Sequence, residues 1–196
     1  MKNNSYIRNL KIEDVPWHRL PTTYARATLF PQYFEVLENM QDTDKIENAL
    51  DEISINVEHQ STLWYAAPFA LVFLARIFIK ALNQTEANIN ADYIVERLLE
   101  IFTVIAESFC EGEVLNHAEP LPFFEDMLKE EYLWSEIYNE DDDLLRYEEE
   151  NVFPANLFYS FYYYSFEVLK TYREEFAKLN DTKFSERARI LSSLLL

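Results

Sequence analysis

Residues 43–82 read TDKIENALDEISINVEHQSTLWYAAPFALVFLARIFIKAL, and this stretch decides the fold class. Its first part repeats apolar residues at the three- and four-residue spacing of one helix face. These residues are Ile46, Ala49, Leu50, Ile53 and Val57. The last part is apolar on every side, which is typical of a buried helix, and Pro68 is expected in its first turn or at a kink. The stretch predicts two helices that meet at a polar break, with Asp42 or Thr43 capping the first.

Similar patterns extend along the rest of the chain. Helix starts are predicted near residues 43, 63, 92, 122 and 154, where Pro154 opens a long helix to about Leu179, and a terminal helix is predicted from Lys183. No stretch alternates apolar and polar residues as a strand requires. We predict a single all-α domain over residues 1–196, either an α-solenoid or an irregular bundle of about six to eight helices. Within it, residues 1–40 form an irregular start punctuated by prolines, and residues 134–150 form an acidic connecting segment.

The amino-acid composition argues against several classes of protein. Among 196 residues there is one glycine, Gly112, whereas phosphate-binding loops, dinucleotide fingerprints and nucleophile elbows need several at fixed spacing. Gly112 instead follows a helical pattern, where a helix C-cap is expected. The chain carries 15 Phe, 13 Tyr and 3 Trp, which is too much aromatic surface for a disordered chain. These features favour a helical protein with a large core.

The net charge of −18 is concentrated in one part of the chain. Residues 107–150 hold 16 acidic residues against Lys129 and Arg146, a local balance of −14. Such a surface disfavours nucleic acid and anionic membranes as partners, and it attracts a basic protein. A solvated loop that only aids solubility would show the same charge. The aromatic residues Trp134, Tyr138 and Tyr147 among the acids favour a binding surface, because aromatic side chains are good contact anchors.

Residues that could carry chemistry are few. The histidines are His18, His59 and His117, and none lies in a zinc-protease or di-iron motif. Glu113 and His117 could share a helix face only if that helix continued past Gly112. Cys110 lies in an apolar helical pattern and is expected to pack there. We expect no catalytic residue, metal or cofactor, although an enzyme with a polar pocket among the aromatic helices is a third alternative.

The run FYSFYYYSF at residues 158–166 places aromatic side chains on every face of one helix. It fits a central helix whose tyrosine hydroxyls reach the edge of the hydrophobic core. It also fits an exposed aromatic patch beside the acidic segment.

The first fifteen residues contain no apolar run of the length that a signal peptide needs. The most apolar stretch, Leu63–Ala75, is shorter than a bilayer requires. A cytoplasmic location is therefore expected, and Cys110 as the one cysteine agrees with a reducing compartment.

The segment ALDEISINVEHQSTLWYAAPFALVFLARI, residues 49–77, resembles a HEAT-like helical-repeat group found in bacteria. In that group a helix ends at a His-Gln-x-Thr motif, and an aromatic residue, alanines, a proline and an apolar helix follow. The matching residues are His59, Gln60, Thr62, Tyr65, Ala66, Ala67, Pro68 and Leu74. Ser61 stands where the group usually has glycine. The resemblance implies a helical-repeat fold, a structural turn at His59, Gln60 and Thr62, and a role like that of immunity proteins in bacterial toxin systems.

The charge pattern and the resemblance lead to one expectation, because an acidic face can neutralise a basic, nuclease-like toxin by charge complementarity. The sequence thus predicts a non-enzymatic immunity protein whose partner is a cognate toxin domain. The expected partner-binding residues are Trp134, Glu136, Tyr138, Glu140, Asp141, Asp142, Asp143, Tyr147, Glu148, Glu149 and Glu150. The alternative is a HEAT-like scaffold or adaptor that binds other cellular proteins. The sequence leaves the oligomeric state open.

Overall fold

The computed structural model describes residues 2–110, 118–148, 152–179 and 182–196, and it confirms the all-α fold. Gly112, Glu113 and His117, on which two of the predictions depend, lie outside these ranges. The α-helices span Lys2–Asn9 (α1), Phe30–Asn39 (α2), Thr43–Val57 (α3), Ala67–Leu82 (α4), Ile89–Cys110 (α5), Glu140–Glu148 (α6), Ala155–Thr171 (α7), Arg173–Ala177 (α8) and Ser185–Leu194 (α9). Short 3₁₀ helices occur at Ile12–Asp14, Trp17–Arg19, Ala27–Leu29 and Phe124–Leu128.

Helix α4 is the centre of the core, as its composition predicts. Nearly all of its side chains are buried, and Pro68 lies in its first turn, where a missing amide proton costs nothing. It packs against α2, α3, α5 and α7. The stripe predicted for α3 is buried from Ile46 to Val57, and the Asp42 side chain caps this helix by accepting a hydrogen bond from the Lys45 amide.

The two ends of the chain meet in the core. Helix α1 packs against α7, and the Arg8 side chain donates to the Thr171 carbonyl across 3.2 Å. Buried residues of one continuous cluster run from Ile7 to Leu195. Helices that are distant in sequence pack together in this way, which is typical of a bundle and not of a solenoid. Of the two predicted architectures, the structure is therefore the irregular bundle.

Three predicted elements differ from the structure. The start, residues 1–40, contains α1 and α2 as well as 3₁₀ turns, so it is more ordered than its prolines suggested. After Pro122 the chain forms only the 3₁₀ helix Phe124–Leu128, because Asp126 accepts the Phe123 amide proton and closes a tight turn. The long helix after Pro154 breaks at Tyr172 into α7 and α8.

A small hairpin lies between α3 and α4, where no strand was predicted. Strand β1, Glu58–His59, pairs antiparallel with β2, Thr62–Leu63. Gln60 and Ser61 form the two-residue turn with positive φ values of 52° and 63°, the sign that a type I′ turn requires at both positions. The sequence signal was weak because neither residue is the glycine or asparagine that usually marks this turn.

Candidate protein-binding surface

The acidic segment contains a helix, α6, where a connecting segment was predicted. Its first turn is Glu140, Asp141, Asp142 and Asp143. The Asn139 side chain caps it by accepting hydrogen bonds from the Asp141 amide at 3.0 Å and the Asp142 amide at 3.3 Å. Acidic side chains in a first turn also interact favourably with the positive end of the helix dipole. A cap followed by four acids thus explains why this stretch is helical.

Arg26 fastens α6 to the body of the protein. Its guanidinium makes a bidentate pair with Asp143, with Nε to Oδ2 at 2.7 Å and Nη2 to Oδ1 at 2.6 Å. The two side chains are only 2% and 10% exposed. Arg26 also donates to the His18 carbonyl and to the carbonyl and hydroxyl of Ser135. One buried arginine therefore fixes both the start of the segment and the helix.

Two aromatic rings flank the same guanidinium. Arg26 Cζ lies 5.6 Å from the Trp134 ring centroid and 5.4 Å from that of Tyr138. Cation–π contact with Arg is an ordinary use of such rings. Trp134 is 2% exposed, and its carbonyl accepts a hydrogen bond from Arg19 Nε at 2.5 Å. Trp134 therefore supports the surface from below, while the more exposed Tyr138 remains accessible.

Apolar side chains lie exposed among the acids. Exposed fractions are 80% for Ile137, 58% for Tyr138, 56% for Leu144 and 59% for Leu145. Because Asp143 points inward to Arg26, Leu145 lies on the opposite side of α6, at two steps of about 100° per residue. Glu140, Asp141 and Asp142, which precede the two leucines in α6, are also exposed. We call the exposed residues Glu136, Ile137, Tyr138, Glu140, Asp141, Asp142, Leu144 and Leu145 the α6 surface.

The edge of the α6 surface is bound to the N-terminal part of the chain by ion pairs. Glu136 lies 2.8 Å from His18 Nε2 and 3.7 Å from Arg19 Nη1. Arg19 pairs more closely with Glu130, at 2.6 Å. This hydrogen bond to the guanidinium holds the pKa of Glu130 below its ordinary value. Because Glu130 and Glu136 are exposed, these pairs orient the segment more than they stabilise it.

The predicted partner-binding residues fall into three groups. Glu136, Tyr138, Glu140, Asp141 and Asp142 lie on the α6 surface. Trp134 and Asp143 are buried, since one packs under Arg26 and the other pairs with it, so we remove both from the contact surface. The remaining four are at the end of the segment. The backbone of Tyr147 and Glu148 belongs to α6, and Glu149 and Glu150 lie outside the described residues.

The predicted structural turn at His59, Gln60 and Thr62 is the hairpin between α3 and α4. Side chains of Glu58 and Tyr162 hold the backbone of this turn. The Glu58 carboxylate accepts from the Ser61 amide at 2.7 Å. The Tyr162 hydroxyl accepts from the Leu63 amide and donates to the Ser61 carbonyl. The ring of His59 instead packs edge-on against Tyr24, with centroids 5.6 Å apart.

The aromatic run at 158–166 is a core helix, and the exposed-patch alternative is wrong. Phe161, Tyr162 and Tyr164 are buried in α7. The Tyr164 hydroxyl donates to the Leu121 carbonyl at 2.5 Å, and burial raises the pKa of this tyrosine. Its ring stacks on that of Phe124, at 5.0 Å. The tyrosines of this run thus use their hydroxyls to satisfy loop backbone inside the core.

Sequence reasoning missed Arg26 and the exposed apolar residues Ile137, Leu144 and Leu145. Arg26 is 117 residues from Asp143, and no local pattern pairs residues at that distance. The leucines did leave a signal, because DDDLLRYEEE puts two of them inside an acidic run where a solubility loop needs none. Weighing them as exposed anchors would have found the apolar part of the α6 surface.

Other kinds of site find little support in the described part of the chain. Within it, no group of three or more His, Cys, Asp or Glu side chains is placed to hold a metal ion. Cys110, expected to pack in the core, is exposed at the end of α5. The described helices include none that is both long and apolar enough to cross a membrane. A cavity of about 360 Å³ lies beside Arg8, Lys11 and Arg76, but Arg8 and Arg76 donate to backbone carbonyls there.

Comparison of the chain with protein-family models, curated proteins and solved structures finds no match to any of them.

Proposed function

We propose that this protein is an immunity protein, which binds a basic, nuclease-like toxin domain through the α6 surface and neutralises it without catalysis of its own. The observation that supports this most directly is the outward-facing pair Leu144 and Leu145 on a helix whose first turn is acidic. Exposed apolar side chains next to charged ones are typical of a protein interface, which has a dry centre and a polar rim.

Charge supports the choice of a basic partner. Glu136, Glu140, Asp141 and Asp142 place four exposed carboxylates on this surface, whereas the charge of Asp143 is balanced internally by Arg26. The whole chain carries −18, so its long-range field also attracts cations. Such a field raises the rate of association with a basic protein and disfavours acidic partners.

Preorganisation supports tight binding. Asn139 caps α6, and Arg26 holds it, so the carboxylates are already in position before a partner arrives. A surface that needs no ordering on binding loses less conformational entropy. Inhibition would then follow from occupation of the toxin's nucleic-acid site by fixed carboxylates in place of phosphates.

The test is co-expression with the C-terminal domain of the protein encoded by the gene immediately upstream. We expect the wild-type chain to restore growth and to co-purify with that domain. A triple-amide variant, Glu140→Gln with Asp141→Asn and Asp142→Asn, should lose at least tenfold in affinity, because three of the four exposed carboxylates are gone. Asp143 is left unchanged, since its loss would break the buried pair with Arg26.

A matched variant controls for the change in net charge. Glu35→Gln, Glu47→Gln and Glu186→Gln remove three exposed carboxylates from α2, α3 and α9. This variant should bind almost as the wild type does. Equal loss of binding in both variants would mean that net charge, and not the α6 surface, determines recognition. A wild-type chain that neither rescues growth nor binds would leave the scaffold alternative.

A second pair of variants tests the apolar part of the surface. Leu144→Ala with Leu145→Ala should weaken binding at any salt concentration while the charge stays the same, because buried apolar contact is lost on the partner side. Ile89→Ala with Ile190→Ala is the control, since both residues are exposed on other helices. Unchanged affinity for the leucine variant would remove these residues from the interface.

A further inference from the structure

A second exposed aromatic site lies beside the α6 surface, on the turn that precedes Arg26. Tyr24 is 65% exposed, and its ring packs edge-on against His59 of the hairpin. The neighbouring side chains Ala25, Gln60 and Ser61 are exposed and uncharged. This patch differs from the α6 surface, because its exposed side chains are aromatic or uncharged and the neighbouring Glu58 carboxylate accepts a hydrogen bond from the Ser61 amide.

The turn that carries Tyr24 is firmly held. The Thr22 amide donates to the Ala25 carbonyl at 2.9 Å, and the Thr22 hydroxyl donates to Asn56 Oδ1 at 2.7 Å. The Thr23 amide donates to the Asn56 carbonyl at the end of α3, and Pro21 bridges to Arg26. Exposed aromatic side chains on mobile loops are common, but here the backbone is fixed on both sides. A fixed tyrosine gives contact area at low entropy cost.

The same turn joins the two patches. Tyr24 is two residues from Arg26, a span of at most about 7 Å along the chain. Arg26 Cζ in turn lies 5.4 Å from the Tyr138 ring centroid. The path from Tyr24 through Arg26 to Tyr138 is thus short compared with the width of an interface of standard size, which buries about 800 Å² on each partner.

We propose that Tyr24 and His59 form the aromatic half of the same docking surface, and that the basic partner domain covers both halves together. The proposal rests on the proposed function, since its occupant is the toxin domain. It assigns to His59 a contact role in addition to its place in the hairpin. The partner would present an apolar or aromatic area next to its basic residues, because the Tyr24 and His59 rings provide most of the exposed contact area of this patch.

The two halves should act on different kinetic constants. Charged residues steer association, and their effect falls with salt, whereas apolar anchors act mainly on dissociation. Tyr24→Ala with His59→Ala should therefore raise the dissociation rate from the upstream-encoded domain at least tenfold and leave its salt dependence as in the wild type. Surface plasmon resonance at two salt concentrations measures both quantities.

Ile89→Ala is the matched control, because Ile89 is 80% exposed and lies at the far end of α3 from the hairpin. Asn90, the next residue, bonds to Thr43 at the start of α3, and this helix of 15 residues is about 22 Å long. The Ile89→Ala control should dissociate at the rate of the wild type. The wild type, the control and the Tyr24/His59 variant should have the same melting temperature to within a few degrees.

The outcomes separate this proposal from the proposed function. A tenfold faster dissociation of the Tyr24/His59 variant, with unchanged salt dependence and fold, supports the two-part surface. If the wild type binds and the triple-amide variant is weakened but the Tyr24/His59 variant is not, the α6 surface stands and the second half is overturned. If the wild type does not bind the domain, both proposals are overturned.

Discussion

Arg26 is buried beside two aromatic rings and five hydrogen-bond acceptor atoms, and it connects parts of the chain that are more than a hundred residues apart. Removing one partner of a buried ion pair leaves the other charge without compensation, which usually costs more than the pair contributes. At the scale of single residues, the position of the α6 surface therefore depends on a side chain that does not belong to it.

A double-mutant cycle between Arg26 and Asp143 tests this dependence. We expect Asp143→Asn to lower the free energy of unfolding by about 3 kcal/mol. Arg26→Met should cost more, because it also loses the bonds to His18 and Ser135. The double variant should cost less than the sum of the two, as chemical denaturation will show. Strictly additive losses would mean that the pair is not coupled.

At the scale of elements, the hairpin between α3 and α4 has a turn made of unfavourable residues. Gln60 and Ser61 both have positive φ, a conformation that costs a non-glycine residue about 1 kcal/mol or more. The Tyr162 hydroxyl and the Glu58 carboxylate hold the backbone in this shape. The turn is thus imposed by its surroundings, which is the usual reason for such a conformation to persist.

Changing the turn to Asn-Gly tests this account. Gln60→Asn with Ser61→Gly should raise the free energy of unfolding by about 1 kcal/mol, since these residues adopt positive φ most readily. Ser61→Val should lower it by about the same amount, because a branched side chain clashes in that region. Thermal denaturation compares the three proteins. A destabilised Asn-Gly variant would show that the side chains of Gln60 and Ser61 matter more than the backbone conformation.

The predictable elements are those determined by neighbours in sequence. The structure confirms the apolar stripe of α3, the Asp42 cap and the prolines at the starts of α4 and α7, all of which follow local rules. Helix α6 also obeys local rules, through Asn139 and its acidic first turn, but a run of like charge was interpreted as a loop. The 3₁₀ turn at Phe124–Leu128 was missed because a short side-chain bond from Asp126 competes with helix formation.

The candidate site could be predicted only in part. The acidic residues and Tyr138 were predicted from the charge and aromatic pattern, because a surface rich in such residues can be recognised from the local composition. The burial of Trp134 and Asp143 could not be found, because it depends on Arg26 folding back from the other end of the sequence. Contacts between distant residues are decided by packing, which a single sequence does not display.

At the scale of the whole molecule, buried tyrosines make the fold sensitive to alkali. Burial, assisted by Glu125 and Asp14, raises the pKa of Tyr6 to about 12 from an ordinary value of 10.0. Burial also raises the pKa values of Tyr65 and Tyr164. In the unfolded chain these phenols ionise near their ordinary pKa, while in the folded chain they stay neutral.

The free energy of unfolding should therefore be unaffected by these tyrosines below pH 10 and should fall steadily between pH 10 and 12. Chemical denaturation at stepped pH measures the fall. Tyr6→Phe should make it shallower, whereas Tyr24→Phe, at an exposed position, should not change it. A stability that stays constant through pH 12 would contradict the link between burial and ionisation.

The dissociation constant between this protein and the upstream-encoded domain proposed as its partner, measured by calorimetry at low and at high salt, is the decisive measurement. We expect nanomolar or tighter binding by the wild type, weakened at least tenfold at high salt. The triple-amide variant should bind more weakly at low salt and should lose most of that salt dependence. Equal affinity and equal salt dependence of the two proteins would contradict recognition of a basic partner by the α6 surface.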